Sequence, residues 1–303
     1  MTRYDTVSLL TDYGTTDEFA GVVKAVIRDL APHVGVIDLT HDIAPFDVRA
    51  GALALARCIS YVPAGVVVGV VDPGVGTSRR AVAIEVAGGE GVLVGPDNGL
   101  LAPAVAMAGG AERAVELTNP EYHLVAPGAT FAGRDIFAPA AAHLCNGVPL
   151  TELGPEVDPG LLLPATVPLP RNETTDGVAT VVAEVLWVDR FGNCQLNVGP
   201  DDLPGEWSTH VEVRYHTHST LADPSGEASR RAVRTDSFAE INGAAGAVGL
   251  VLDSYGMLAV CLPQRSAADE LGLGPGDQVT LAPLDALPTP ATQVTLGRRG
   301  NDG

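Results

Sequence analysis

The sequence predicts two domains of different class: an N-terminal three-layer α/β domain with a mainly parallel sheet, and a C-terminal all-β, barrel-like domain. Three observations carry this. Through residue 150, apolar runs of strand length alternate with segments of helical periodicity, as when helices cover a parallel sheet. Beyond about residue 175, short β-like runs follow one another, separated by Gly, Pro and Asp. In between, Pro155, Pro159, Pro164, Pro168 and Pro170 punctuate a stretch with little helical period, which reads as an extended linker. The expected domains are residues 1–174 including the linker and residues 175–285, and residues 286–303, lacking an apolar pattern, form a frayed tail.

The first strand is read at residues 7–10, followed by the turn Thr11-Asp12-Tyr13-Gly14. Phe19, Val22, Val23, Val26, Ile27 and Leu30 then recur at helical spacing. Thr15 or Thr16 is the expected cap, with Asp17 and Glu18 in the first turn complementing the helix dipole. The pattern repeats with a strand at 34–39, a helix from about 47 to 59 and a strand at 66–71. Strand-like runs at 81–86 and 92–94 and a helix-like run at 133–145 extend it. In the second half the β-like runs are 178–188, 211–215, 248–252, 258–262 and 279–281.

Composition narrows the function classes. Eighteen Lys and Arg against 37 Asp and Glu leave a net charge of −19, which repels phosphate backbones, so no nucleic-acid partner is expected. Hydrophobic residues make up 46% and charged residues 18%, enough to bury a core. Cys58, Cys145, Cys194 and Cys261 lie far apart without metal-like spacing and read as buried thiols in a reducing compartment. The first residues run into a strand without a signal-peptide core, and no apolar run approaches a membrane span. A cytoplasmic protein with no membrane partner is expected. His216-x-His218 lacks a third ligand, so no metal is expected there.

The chemistry is sought in loops. Asp72-Pro73-Gly74-Val75-Gly76-Thr77-Ser78-Arg79 follows directly on a strand, at the carboxyl edge where open α/β sheets bind ligands. Its glycines allow close backbone approach, and Asp72 and Arg79 are its charged pair. A structural turn with an exposed ion pair explains the loop equally well. It is no dinucleotide fingerprint, because Arg79 stands where a third glycine belongs. Asp12 suits a ribose diol, yet an N-terminal turn aspartate is equally ordinary. Asp97 and Asn98 read as turn residues. Residues 188–193 gather Asp189, Phe191 and Asn193 around Gly192, a set that fits an amine, a purine face and a purine edge, with the β-turn reading ahead. His41 reads as core or pocket wall. No Gly-x-Ser-x-Gly elbow supports a seryl hydrolase.

In combination and order, Thr11-Asp-Tyr-Gly14, Thr40-His-Asp-Ile-Ala-Pro45, Val71-Asp-Pro-Gly-Val-Gly-Thr77, Gly95-Pro-Asp-Asn-Gly-Leu100, Thr130-Phe-Ala-Gly-Arg-Asp135, Asp189-Arg-Phe-Gly-Asn193 and Asp253-Ser-Tyr-Gly256 resemble the S-adenosyl-L-methionine (SAM) hydroxide adenosyltransferases. These adenosine-forming hydrolases are related to the fluorinase and chlorinase enzymes. The resemblance spans about residues 5 to 284. It implies an α/β domain joined to a β-barrel, a homotrimer with sites between the N-domain of one subunit and the C-domain of its neighbour, SAM as substrate, water as nucleophile and no cofactor. Asp72 and Arg79, which halogenating relatives replace, would be catalytic. The hydrolases' catalytic histidine, in Thr-Phe-His-Gly-Arg-Asp, is Ala132 here, which implies slowed turnover; His123 is a weak candidate to replace it.

By the same resemblance, Asp12 would bind the ribose diol, Phe46 would line the ribose and methionine region, and Phe131, Gly133 and Val75 would shape the pocket at C5′. Asp189 and Ser254 would hold the methionine ammonium and carboxylate, assisted by the Tyr255 backbone, with Asp17 a second contact to the amino-acid end. Asn193 and the Gln264 backbone would read the adenine edge, with Phe191 and Phe238 against the ring. The rival readings are a non-catalytic SAM or adenosine sensor, kept alive by Ala132, and a SAM-dependent halogenase, opposed by the retained Asp72 and Arg79.

Overall fold

A computed structural model describes residues 4–175, 177–216, 226–241 and 248–284. The chain forms two compact units, Met1–Val167 and Pro168–Gly303. The first unit runs β1 (Thr6–Thr11), α1 (Phe19–Leu30), β2 (Gly35–Thr40), α2 (Val48–Cys58), β3 (Gly65–Val70), β4 (Ala81–Val86), β5 (Gly91–Pro96), α3 (Ala102–Met107), β6 (Arg113–Glu116), α4 (Ala138–Cys145) and β7 (Glu156–Val157). Its sheet has the order β2-β1-β3-β5-β4-β6-β7. The pairs β1–β2, β1–β3 and β3–β5 are parallel, and β4 enters antiparallel between β5 and β6.

Three layers result from where the apolar side chains point. Val7 and Leu9 of β1 and Val66, Val68 and Val70 of β3 join Val23 and Ile27 of α1 and the alanines of α4 in one core. The opposite face meets α2 and α3. There Gly69 and Gly51 leave the space that Leu55, Leu100 and Val71 fill, and a methyl group at either glycine would press on those side chains. This explains why β3, Gly65–Val70, is buried throughout and reads as a continuous apolar run instead of an alternating one. The ends of β1, β2, β3, β5 and β6 share one edge of the sheet, so the segments after residues 11, 40, 70, 96 and 116 all leave from it.

The second unit contains β8 (Arg171–Thr175), β9 (Val178–Val188), β10 (Cys194–Leu196), β11 (His210–His216), β12 (Glu227–Thr235), β13 (Val248–Leu252), β14 (Leu258–Cys261), α5 (Ala267–Leu271) and β15 (Gln278–Pro283). Seven strands close into a barrel in the order β9-β10-β14-β13-β12-β11-β15 and back to β9, with β8 paired outside on β9. Val181, Ala183 and Val185, Val211, Val213 and Tyr215, and Val279 and Leu281 alternate inward to fill it.

Several boundaries differ from the sequence reading. Composition places the second domain near residue 175, but the units divide at Val167/Pro168, and Arg171–Thr175 is already strand. That segment is polar because it lies outside the closed barrel, so it carries no hydrophobic alternation. The proline-rich stretch is tied to the first unit: β7 pairs with β6, and the Leu163 N–H donates to Asp97 at 2.8 Å. The first helix begins at Phe19, so Asp17 and Glu18 precede it, and Glu18 stands at the N-cap without a side-chain hydrogen bond. The helix-like run from 133 divides into a π-helical turn, Gly133–Phe137, followed by α4. Cys145, Cys194 and Cys261 are buried free thiols, each pushed up to about 12 by burial, whereas Cys58 is half-buried. Among the described residues, no helix is long and apolar enough to cross a membrane, and no cluster of three His, Cys, Asp or Glu suits a metal. His218 and the expected tail at 286–303 lie outside the described residues.

Candidate active site

The loop after β3 turns tightly because the Val75 N–H donates to the Asp72 carbonyl at 3.2 Å and the Thr77 hydroxyl to the Gly74 carbonyl at 2.6 Å. This turn folds Arg79 back onto Asp72. The Arg79 Nε donates to both carboxylate oxygens, at 3.0 and 2.9 Å, and Nη2 donates to Oδ2. The side chains are only 5% and 14% exposed for Asp72 and Arg79, so the charged groups of the pair are largely withdrawn from solvent. Burying two charges costs several kcal/mol per ion, roughly, before their attraction is counted. Beside them the Arg79 guanidinium lies 5.4 Å from the Phe137 ring centroid. Asn98 steadies the strand end, donating to the Val71 carbonyl at 2.9 Å, and buried Asp97 accepts from Arg80 at 2.9 Å. Both side chains are engaged in tying this loop to its neighbours, as their turn-forming residue types suggest.

The turn after β1 is fixed from beneath. Buried His41 lies 2.9 Å from the Thr11 hydroxyl through Nδ1 and 3.0 Å from Asp38 through Nε2, and Lys24 of α1 donates to the same Asp38 at 3.0 Å. The Thr11 hydroxyl also accepts the Tyr13 N–H at 3.2 Å, and the His41 carbonyl accepts the Gly14 N–H at 2.7 Å. His41 is therefore the brace of the Asp12-Tyr13-Gly14 turn. Burial works against the Asp38 carboxylate, but hydrogen bonds from Lys24 and His41 hold it below its usual 3.8. A depressed carboxyl stabilises the fold above its unfolded value and loses that contribution as pH falls through its folded value. The melting temperature is thus expected to fall more steeply below about pH 4 in the wild type than in Asp38→Asn, and superimposable profiles would refute the brace.

Asp12 accepts the Phe46 N–H at 2.9 Å, and Phe46 sits at φ +68° and is 72% exposed. A bulky residue held in the left-handed region with its ring in solvent marks stored strain, which clusters at ligand sites. Tyr13, Phe19 and Phe131 form a three-ring cluster with centroids 5.1–5.9 Å apart, and the Arg134 guanidinium covers the Phe131 ring at 5.0 Å. The Tyr13 hydroxyl rests on Gly133, where a side chain would collide with it. Burial, then the charges of Asp12 and Asp72, push the Tyr13 phenol well above its usual value, against Arg79 and a Gly133 backbone hydrogen bond. Gly76 approaches Ala129, so the loops holding Asp12, Asp72 and Phe131 converge. Val75 packs against the same core, and Ala132 is buried in it, 5% exposed. Asp17 is exposed, and His123 is half-buried, with burial lowering its imidazole below its usual value.

In the barrel two turns share one design. The Asp189 carboxylate accepts the N–H groups of Phe191 and Asn193, at 2.8 and 2.9 Å, and the Asn193 side-chain amide at 2.8 Å. The Asp253 carboxylate likewise accepts the Tyr255 and Met257 N–H groups, at 2.8 and 3.0 Å, and the Gln195 amide. Each aspartate organises its own turn, which leaves Phe191 77% and Tyr255 49% exposed. The 189–193 turn neighbours the loop of Gln264: Gly192 leaves no room beside Ser266, and the Ala268 N–H donates to the Gly192 carbonyl at 3.0 Å. Gln264, like Phe46, has a positive φ, +56°. Exposed Ser254 lies in the other turn, and Phe238 opens a short helical turn after β12 outside both. Sequence reasoning passed over Tyr13 and Phe19, although Tyr13 stands in a motif already singled out.

A mixed α/β unit with a buried Asp–Arg pair at its strand ends, followed by a seven-stranded barrel presenting aspartate-organised turns, defines the class. Residues 7–154 match the SAM hydroxide adenosyltransferase N-terminal domain and residues 183–280 its C-terminal domain. The chain belongs to the SAM hydroxide adenosyltransferase family. It is 45% identical over 274 residues to an (R)-S-adenosyl-L-methionine hydrolase of Salinispora tropica, covering 90% of this chain and 96% of the relative. A hydrolase of the same name from Thermus thermophilus is 40% identical over 283 residues, 91% and 98% of the two chains. A fluorinase of an Actinoplanes species is 26% identical over 219 residues, 65% of this chain and 72% of that one. A crystal structure of an uncharacterized conserved protein from Thermotoga maritima superposes with a TM-score of 0.77 at 31% identity, covering 91% of this chain and 99% of that chain.

Proposed function

We propose that this protein hydrolyses SAM to adenosine and L-methionine. The observation that carries the reading is the buried Asp72–Arg79 pair at the sheet's carboxyl edge, in a chain 40–45% identical to proteins named SAM hydrolase. A water oxygen attacks C5′ and forms the C–O bond. The C5′–S bond breaks with its electrons passing to sulfur, which leaves as the neutral thioether of methionine, and the water's proton passes to Asp72. Charge is annihilated along this path, so a site that excludes water favours it. Arg79 stabilises the developing hydroxide, and its two-point grip orients the carboxylate that receives the proton. No cofactor enters the scheme, since the sulfonium of SAM already activates methionine as the leaving group.

In this reading Asp12 takes the ribose diol, while Phe46, Phe131, Gly133 and Val75 surround the sugar. Asp189 and Ser254 with the Tyr255 backbone take the methionine end, as does Asp17, and Asn193, Gln264, Phe191 and Phe238 take adenine. A cytoplasmic homotrimer, with each site completed by a neighbouring subunit, belongs to the same proposal. With Ala132 in place of an imidazole, turnover is slow. Incubation with SAM in ¹⁸O-water, read by mass spectrometry, is expected to give adenosine labelled at the 5′ oxygen. Tight SAM binding without products would favour the sensor, and a chloride-dependent 5′-halo product the halogenase.

A further inference from the structure

The proposed SN2 step needs a water aimed in line with the C5′–S bond, and the Asp72–Arg79 pair alone does not aim it. Arg79 occupies both carboxylate oxygens, so Asp72 offers the water one acceptor from one side. A water that gives one O–H to Asp72 and a lone pair to carbon has a second O–H still to place, and unless that bond is fixed the lone pair wanders. Tyr13 supplies a suitable oxygen. Its ring is packed edge-on against Phe131 at 5.7 Å and tilted against Phe19 at 5.9 Å, and its backbone N–H is held by the Thr11 hydroxyl. Its hydroxyl lies against Gly133, and the pairing of Thr11 with Val70, with the Asp12 N–H on the Val70 carbonyl, sets the Tyr13 turn beside the segment that carries Asp72; a phenol oxygen there has a lone pair to offer.

A Cβ at 133 would meet the Tyr13 hydroxyl first and the ring's Cζ and Cε2 next, so glycine there makes room for the end of this side chain, its oxygen above all. Oxygen and glycine are thus fitted to one another beside the catalytic loop. We propose that the Tyr13 hydroxyl accepts the second O–H of the attacking water, so that Tyr13, Asp72 and Arg79 together fix its approach to C5′. The raised phenol value agrees with this role, since the group stays neutral and acts by hydrogen bonding, not as a base. The inference rests on the SAM hydrolase reading.

The test is Tyr13→Phe beside the wild type, with kcat and KM for SAM, affinity for unreactive S-adenosylhomocysteine and melting temperature all measured. Loss of one hydrogen bond to the reacting water is expected to lower kcat about 10- to 100-fold. KM and analogue affinity should change less than about 3-fold, because the packing ring remains. A kcat within about 3-fold of wild type overturns the proposal, as does a fall matched by equal loss of analogue binding, which would make Tyr13 a wall. Should Tyr13→Phe not fold, Gly133→Ala displaces the same hydroxyl and is expected to give the same kcat loss; undiminished turnover there overturns the proposal. If the wild type itself releases no adenosine, the hydrolase reading falls and this inference with it.

Discussion

Replacing Asp72 by asparagine is expected to lower kcat for adenosine release by about 10²–10⁴-fold, the usual contribution of a positioned proton acceptor. The amide is nearly isosteric and keeps an oxygen for Arg79, so the loop remains folded, but it cannot take the proton of the attacking water. A second consequence follows from burial. With side chains 5% and 14% exposed, neither partner is well hydrated, and removing the carboxylate charge leaves Arg79 uncompensated. Breaking such a pair outright costs about 3–5 kcal/mol, and the retained hydrogen bond should reduce that. Melting by circular dichroism is therefore expected to show a lower but still cooperative transition, with SAM analogue binding retained. Turnover within about threefold of wild type would remove Asp72 from the chemistry and with it the proposed mechanism.

Arg79→Lys separates charge from geometry at the same site. Lysine keeps the positive charge but not the planar fork that reaches both oxygens of Asp72. If the fork orients the carboxylate, lysine will not restore full turnover.

The fold was largely legible because the signals that specify it are local. The alternation of apolar strands and amphipathic helices in the first unit, and the inward-facing β-branched residues of β9, β11 and β15, are periodicities set by burial. What escaped were elements with no apolar face to advertise. β8 is Arg-Asn-Glu-Thr-Thr on the outside of the barrel, and β12 carries Arg230, Arg231 and Arg234 around the single fully buried alanine Ala232. Such strands are held by pairing on both or one side, which leaves no trace in hydropathy. The site was legible in part for a related reason. Asp72 and Arg79 are seven residues apart in one loop, so their proximity follows from a turn. Tyr13 follows a strand and Gly133 opens a helical turn 120 residues later, and nothing in that spacing announces that a side chain at one would press on the other. His41 is similar: its brace on Thr11 depends on β1 and β2 lying side by side.

Ala132→His is expected to raise adenosine release at least about 10-fold, because an imidazole beside the reacting water extends the proton relay that now ends at Asp72. The same substitution is expected to lower the melting temperature by a few degrees. Ala132 is 5% exposed within the core shared with Phe137 and α4, and inserting a ring into a packed core costs about 1–3 kcal/mol. Opposed effects on rate and stability distinguish a catalytic gain from a generally better-folded enzyme. The double variant with Tyr13→Phe sharpens the point. If Tyr13 now supplies part of the water's orientation, the histidine has less to add when the hydroxyl is present than when it is gone, so its gain should be larger in the Tyr13→Phe background, a non-additivity of the kind expected for two groups acting on one molecule. Equal gains in both backgrounds would place the two residues in separate roles. No gain in either would mean that the alanine is not the deficit it is taken to be.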